Sequence, residues 1–228
     1  MNIQSVLKMH RRDKWGWFLI PNIIVFSVFI VNLIVSFFIT PEEAYYTGGG
    51  FSYLFVYMLI AGILVMAQTF PYAISMSVRR TDFFIGTAVM GSIMSFFYAI
   101  LLLICSVVEK WTIGWGGKFH FFHFPYLNDG TLLEQFVIYF ILLLNVFFLG
   151  LMISSFTRRF GKKGLFIAAI ALLLIASVAA LLVTYYEHWM DMIHWIIDHT
   201  AVQLSYWLII PTLIYFVFSY LFLRRATV

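Results

Sequence analysis

The sequence predicts an all-α integral membrane protein with six transmembrane helices. Three observations lead there. Of 228 residues, 63% are hydrophobic and only 11% are charged, a balance foreign to soluble domains. The apolar residues gather into runs of about 20 or more, the length that crosses about 30 Å of hydrocarbon at 1.5 Å per residue. The basic residues are segregated into alternate connections between those runs.

The chain reads as a single transmembrane domain over residues 1–228, with elements that follow in order. Residues 1–15, MNIQSVLKMHRRDKW, mix Ile3, Val6 and Leu7 with a basic cluster and end on tryptophan. Such a segment suits a short amphipathic helix lying in the membrane interface. Spans are expected at about 16–39, 51–76, 84–107, 132–156, 164–184 and 204–223. The first is too long for a signal peptide, and Pro41-Glu42-Glu43 follows it where small residues would mark a cleavage site. Between the fifth and sixth spans, Trp189, Met192, Ile193, Ile196 and Ile197 form one helical stripe; Glu187, Asp191, His194 and Asp198 form the other. That pattern predicts an outer amphipathic or re-entrant helix.

Charge sets the orientation. Twelve of the fourteen Lys and Arg residues precede span one, follow span two, follow span four or follow span six; only Lys110 and Lys118 lie opposite. The positive-inside rule makes the first face cytoplasmic, with both termini on that side of a plasma membrane.

The spans carry no ionisable group near the expected midplane, which disfavours ion-coupled carriers and intramembrane hydrolases. Asn32, Gln68, Thr69 and Asn145 are polar at depth and suit hydrogen bonding between helices. Gly91, Ser95 and Ala99, then Gly150 and Ser154, suit close helix packing. His120, His123, His188, His194 and His199 lie in outer segments without metal-ligand spacing, and no metal is expected. Neither FGKKG nor GWGGK has phosphate-loop spacing, so no nucleotide site and no catalytic residue is expected in this chain.

One stretch stands apart: FPYAISMSVRRTDFFIGT, residues 70–87, an apolar run broken once by Arg79, Arg80, Thr81 and Asp82. Read from the residues, it is a tight turn in which Asp82 caps the following helix, Arg79 and Arg80 face acidic groups or lipid phosphates, and Phe83 and Phe84 fill an apolar groove. It also resembles the permease subunits of ABC transporters of the type-2 exporter superfamily. The likeness rests on the aromatic-proline start (Phe70, Pro71), the small or polar middle (Ser75, Ser77), the arginines before Thr81 and Asp82, and the aromatics and glycine after them (Phe83, Phe84, Gly86, Thr87). The glycine usual before the Val-Arg portion is replaced by Met76 or Ser77.

The resemblance implies that Ser77, Val78, Arg79, Arg80, Thr81, Asp82, Phe83 and Phe84 form a coupling helix that docks on a cytoplasmic ABC ATPase subunit. It implies two ATPase copies, which bind ATP and Mg, and a second permease copy, identical or related. It places Phe55, Met58, Gln68 and Thr69 as candidates to line the pathway. The expected role is ATP-driven export of an amphipathic or hydrophobic cargo such as a peptide, an antibiotic or a lipid-like molecule. The expected surroundings are the lipid bilayer, with no nucleic-acid partner. Two alternatives stay open on the residues alone: a membrane scaffold or sensor for a cytoplasmic partner, and an ion-coupled secondary transporter.

Overall fold

The computed structural model describes residues 3–38, 45–46, 49–115, 119–124, 126–128 and 130–225. Pro41-Glu42-Glu43, Lys118 and the last residue of the first expected span lie outside the described residues.

The chain is all-α. Helix α1 (Ile3–Arg12) is followed by a π turn (Trp15–Leu19) that runs into α2 (Ile20–Phe38). Helix α3 (Gly49–Leu64) runs through a second π turn (Val65–Thr69) into the short α4 (Phe70–Ser75). Then come α5 (Arg80–Trp111), α6 (Leu132–Tyr185), α7 (Trp189–Asp198), α8 (Ala201–Trp207) and α9 (Ile209–Arg224). Two-residue strands, Tyr45–Tyr46 and Phe119–His120, pair in parallel and join the connection before α3 to the one before α6.

Five of these helical runs are long and apolar enough to cross a membrane: Trp15–Phe38, Gly49–Ser75, Arg80–Trp111, Leu132–Tyr185 and Ala201–Arg224. The fourth and fifth expected spans are two helices that meet at a kink without a long intervening loop. Both lie in α6, whose 54 residues are broken by the non-helical Gly161 at φ 73° and ψ 177°. That backbone lies in the left-handed region, where only glycine is unstrained. The amphipathic stretch expected between the fifth and sixth spans is helical, as α7.

The core lies where α3, α5 and the first half of α6 meet. Small residues bring their backbones together. A Cβ added at Gly150 would stand 2.2 Å from the Leu59 carbonyl oxygen, and one at Gly62 would stand 2.4 Å from that of Phe147. Gly91 leaves room for the Phe147 ring. Ser154 Oγ donates to the Ile63 carbonyl at 2.9 Å across the same crossing. Beyond Gly161 the pattern reverses: large apolar residues such as Phe166, Leu173 and Leu181 are exposed within the single chain.

Each of the three prolines among the described residues sits inside a membrane-length helix. A proline has no N–H, and a π turn leaves one further carbonyl without its helical donor. At Pro21 the two freed carbonyls belong to Gly16 and Trp17. Tyr57 OH donates to the first, and Tyr98 OH donates to the second at 2.7 Å. At Pro71 they belong to Met66 and Ala67, and Arg158 answers both: Nε donates to Met66 at 3.2 Å and Nη2 to Ala67 at 2.7 Å. Near Pro211, at the Leu208 break, Asn145 Nδ2 donates to the Leu208 carbonyl at 3.3 Å and to Thr212 Oγ1 at 2.8 Å. Asn145 thus bonds between helices as its depth suggested. Asn32 does not: its amide turns back to the Val28 carbonyl of its own helix at 2.9 Å.

Near the end of α5, Glu109 is fully buried. Its carboxylate accepts from Trp115 Nε1 and from the backbone N–H groups of Phe121, Phe122 and His123, at 2.8–3.0 Å, and lies 3.2 Å from His120 Nδ1. Buried charges persist only when so fully bonded. Asn128 continues the network to Ser106 and Tyr139, at 2.6 and 2.9 Å.

Two outcomes are expected. Gly150→Val should destabilise the fold by about 3 kcal/mol, because the opposing atom is backbone and cannot move aside; thermal unfolding in detergent reads this. Glu109→Ala should strand several buried donors, at a cost of roughly 3 kcal/mol or more. The Phe121 and Phe122 amides should then lose protection from hydrogen exchange.

Candidate functional site

The stretch singled out in the sequence forms a helix-turn-helix at one end of the bundle. Helix α4 stops in a Schellman motif. Ser77 takes φ 60°, its N–H donates to the Ile74 carbonyl at 2.9 Å, and the Val78 N–H donates to the Ala73 carbonyl at 3.1 Å. Glycine is the usual residue at that left-handed position, and serine there costs about 1 kcal/mol. Val78 and Ala73 are both buried, the apolar contact that accompanies the motif. Arg79 is extended at φ −67° and ψ 139° and opens α5 without a side-chain capping bond. Asp82 therefore acts in the first turn as a charge beside the helix N-terminus rather than as a cap.

The eight expected coupling residues divide by exposure into three groups, with Arg80 and Asp82 half-buried between the buried and the exposed ones. Val78, Phe83 and Phe84 are buried, at 5%, 0% and 1% exposure. Phe83 packs against Phe70 with ring centroids 5.4 Å apart, and Phe84 against Phe216 and Tyr220 at 5.0 and 5.4 Å. The groove these two rings fill is thus this chain's own, since both rings are spent anchoring the turn. Arg80 is half-buried and donates to the Arg224 carbonyl at 3.1 Å, which ties the start of α5 to the end of α9. Ser77, Arg79 and Thr81, with the neighbouring Met76, are exposed.

Helix α1 lies beside this turn, docked on α5. Val6 sits on Gly86, where a Cβ would come within 2.7 Å of Val6 Cγ1. One turn along α1, the His10 ring is buried, with Nε2 3.0 Å from Thr87 Oγ1 and its face 5.4 Å from Trp17. Gly86 and Thr87, quoted above for the family likeness, are thus the seat of α1. Lys8, Arg11 and Arg12 remain exposed on the opposite face. The α1 surface and the turn form one continuous, mostly basic face.

The four expected pathway residues do not come together. Met58 is buried in the core, and Phe55 is half-buried against Phe51 at 4.1 Å. Gln68 and Thr69 lie about 15 Å further along the helix. They sit in the π turn, on a groove shared with α1. Among the described residues, no group of three or more His, Cys, Asp or Glu side chains could hold a metal ion.

Three structurally central residues escaped sequence reasoning: His10, Glu109 and Arg158. His10 and Arg158 read as surface polar residues because their partners lie 77 to 92 residues away, and Glu109 because its partners sit in an irregular connection with no local pattern. Pro71 inside an apolar run was the one signal that some donor had to answer the freed carbonyls. In comparisons with known proteins, no family model matches the chain, and neither does any curated protein or solved structure.

Burial pushes the His10 imidazole down to about 4, against the opposing pull of the Asp13 carboxylate. An undocked histidine titrates near 6.5. Between those values the undocked form binds a proton that the docked form excludes. Docking of α1 should be strongest above about pH 6.5, weaken as pH falls to about 4, and lose roughly 3 kcal/mol across that window. The protection of the α1 amides from hydrogen exchange should fall over that range, and His10→Gln should flatten the dependence.

Proposed function

We propose that this chain is the membrane-spanning subunit of an ATP-driven exporter worked by a separate cytoplasmic ATPase. The chain crosses the membrane six times, the two halves of α6 each crossing once about Gly161. Both termini and the face formed by α1 and residues 76–81 lie in the cytoplasm. A second permease copy, identical or related, completes the pathway, and two ATPases dock from below.

The observation that carries this reading is the construction of the turn. It presents Met76, Ser77 and Arg79 on a base that Val78, Phe83 and Phe84 lock into the core. A handle built so can pass a pull to α3 and α5 without bending. An apolar groove of about 510 Å³ on the side of the bundle, lined by Ile85, Ala88, Phe96, Phe140, Phe148 and Phe216 among others, suits an amphipathic or hydrophobic cargo.

Arg79 is the residue to change, since Arg80 is engaged within the chain. Wild type purified in mild detergent from its host should bring down a soluble ATPase, and Arg79→Glu or Met76→Asp should lose at least 90% of it, about 1.4 kcal/mol of binding. Finding no ATPase with either form would remove the motor and sink the proposal.

A further inference from the structure

A groove of about 870 Å³ runs between α1 and the end of the α3–α4 helix, beside the turn. One wall carries Lys8 and Arg12 from α1; the other carries Gln68, Thr69 and Tyr72. Met9 and Met76 make it partly apolar. We propose that this groove binds the phosphate headgroup of an anionic phospholipid, with Lys8 and Arg12 as its cationic partners.

Charge supports an anion. Lys8 and Arg12 also line an adjoining concavity with Arg11 and Lys14, so four cations converge on one rim. Among the described residues, neither Lys8 nor Arg12 is held in an ion pair. The one acid in the groove, Asp13, is already engaged, its Oδ1 accepting from the Gly16 N–H at 3.0 Å. The Gln68 amide and the Thr69 and Tyr72 hydroxyls of the opposite wall supply neutral donors for a phosphate.

Shape and position favour a lipid over a soluble anion. The α3–α4 wall is the end of a 27-residue apolar helical run, on which Leu64, Ala67 and Tyr72 are exposed. A headgroup held at the cationic rim would leave its acyl chains lying along that apolar surface. Helix α1, with Val6 and His10 inward and Lys8, Arg11 and Arg12 outward, is placed as an interfacial helix is. The proposal stands apart from export, because it is read from lipid retention alone.

The full-length chain would be assembled in nanodiscs of phosphatidylcholine mixed with phosphatidylglycerol, then released and weighed intact by native mass spectrometry. Wild type should retain phosphatidylglycerol over phosphatidylcholine. Lys8→Gln with Arg12→Gln should lower that preference roughly 10- to 30-fold, at about a factor of five per cation. Arg79→Gln, which lies outside the groove, should leave it unchanged. Thr69→Val, a second change on the opposite wall, should weaken retention without altering charge. Equal retention of both lipids, or a preference indifferent to Lys8 and Arg12, would overturn the site. So would displacement of the lipid by inorganic phosphate alone, which would make this a soluble-anion site, or its displacement by a co-purifying protein seated on α1.

Discussion

Proline inside lipid sets the terms for this structure. A helix in hydrocarbon must satisfy every backbone carbonyl, because no water can do so. At Pro21 and Pro71 two adjacent carbonyls lose their helical donors, and in both places side chains from other helices replace them: Tyr57 and Tyr98 at the first, Arg158 at the second. These bonds fix how α2, α3, α5 and α6 sit relative to one another. An unanswered carbonyl at such a site costs several kcal/mol, so the helices have little freedom to slide. The glycine crossing of α3 and α6 works in the same direction, since Gly62 and Gly150 bring backbone against backbone.

The α1 helix and the turn inherit their rigidity from this frame. Trp17, whose carbonyl Tyr98 holds, packs against His10, and His10 meets Thr87. Phe83 touches both Phe70 and His10. The chain from α1 through the π turn and across to α5 is therefore one packed unit, and the exposed residues at 76–81 ride on it. Whatever binds that face meets a surface whose backbone is already set, which lowers the entropy lost on association.

The connection after α5 is organised by a buried hydrogen-bond network as well as by aromatic packing. A single buried carboxylate, Glu109, collects the donors of a Gly- and aromatic-rich connection that could not fold on propensity alone. Phe29, Phe121 and Phe122 then close over it, with centroids 5.4 Å apart. Tyr126 OH reaches across to the His199 carbonyl at 2.6 Å and links this connection to the segment after α7.

Helices and apolar runs of membrane-crossing length were legible in the residues themselves, because they depend on local quantities. The length of an apolar run and the period of its side chains each act over a few turns of chain. The tight turn after Phe70 was legible for the same reason. What only the tertiary structure decided is which polar and aromatic residues face inward. Phe83 and Phe84 looked available to a partner until Phe70 and His10 covered the first and Phe216 and Tyr220 of α9 covered the second. His10, Glu109 and Arg158 looked like ordinary surface groups. Burial of a side chain depends on what another segment brings to it. The decisive partners here (Thr87 for His10, the Met66 and Ala67 carbonyls for Arg158) lie 77 to 92 residues away in sequence. No local pattern encodes such a meeting. It follows from helices that must pack so that no carbonyl is left bare in lipid.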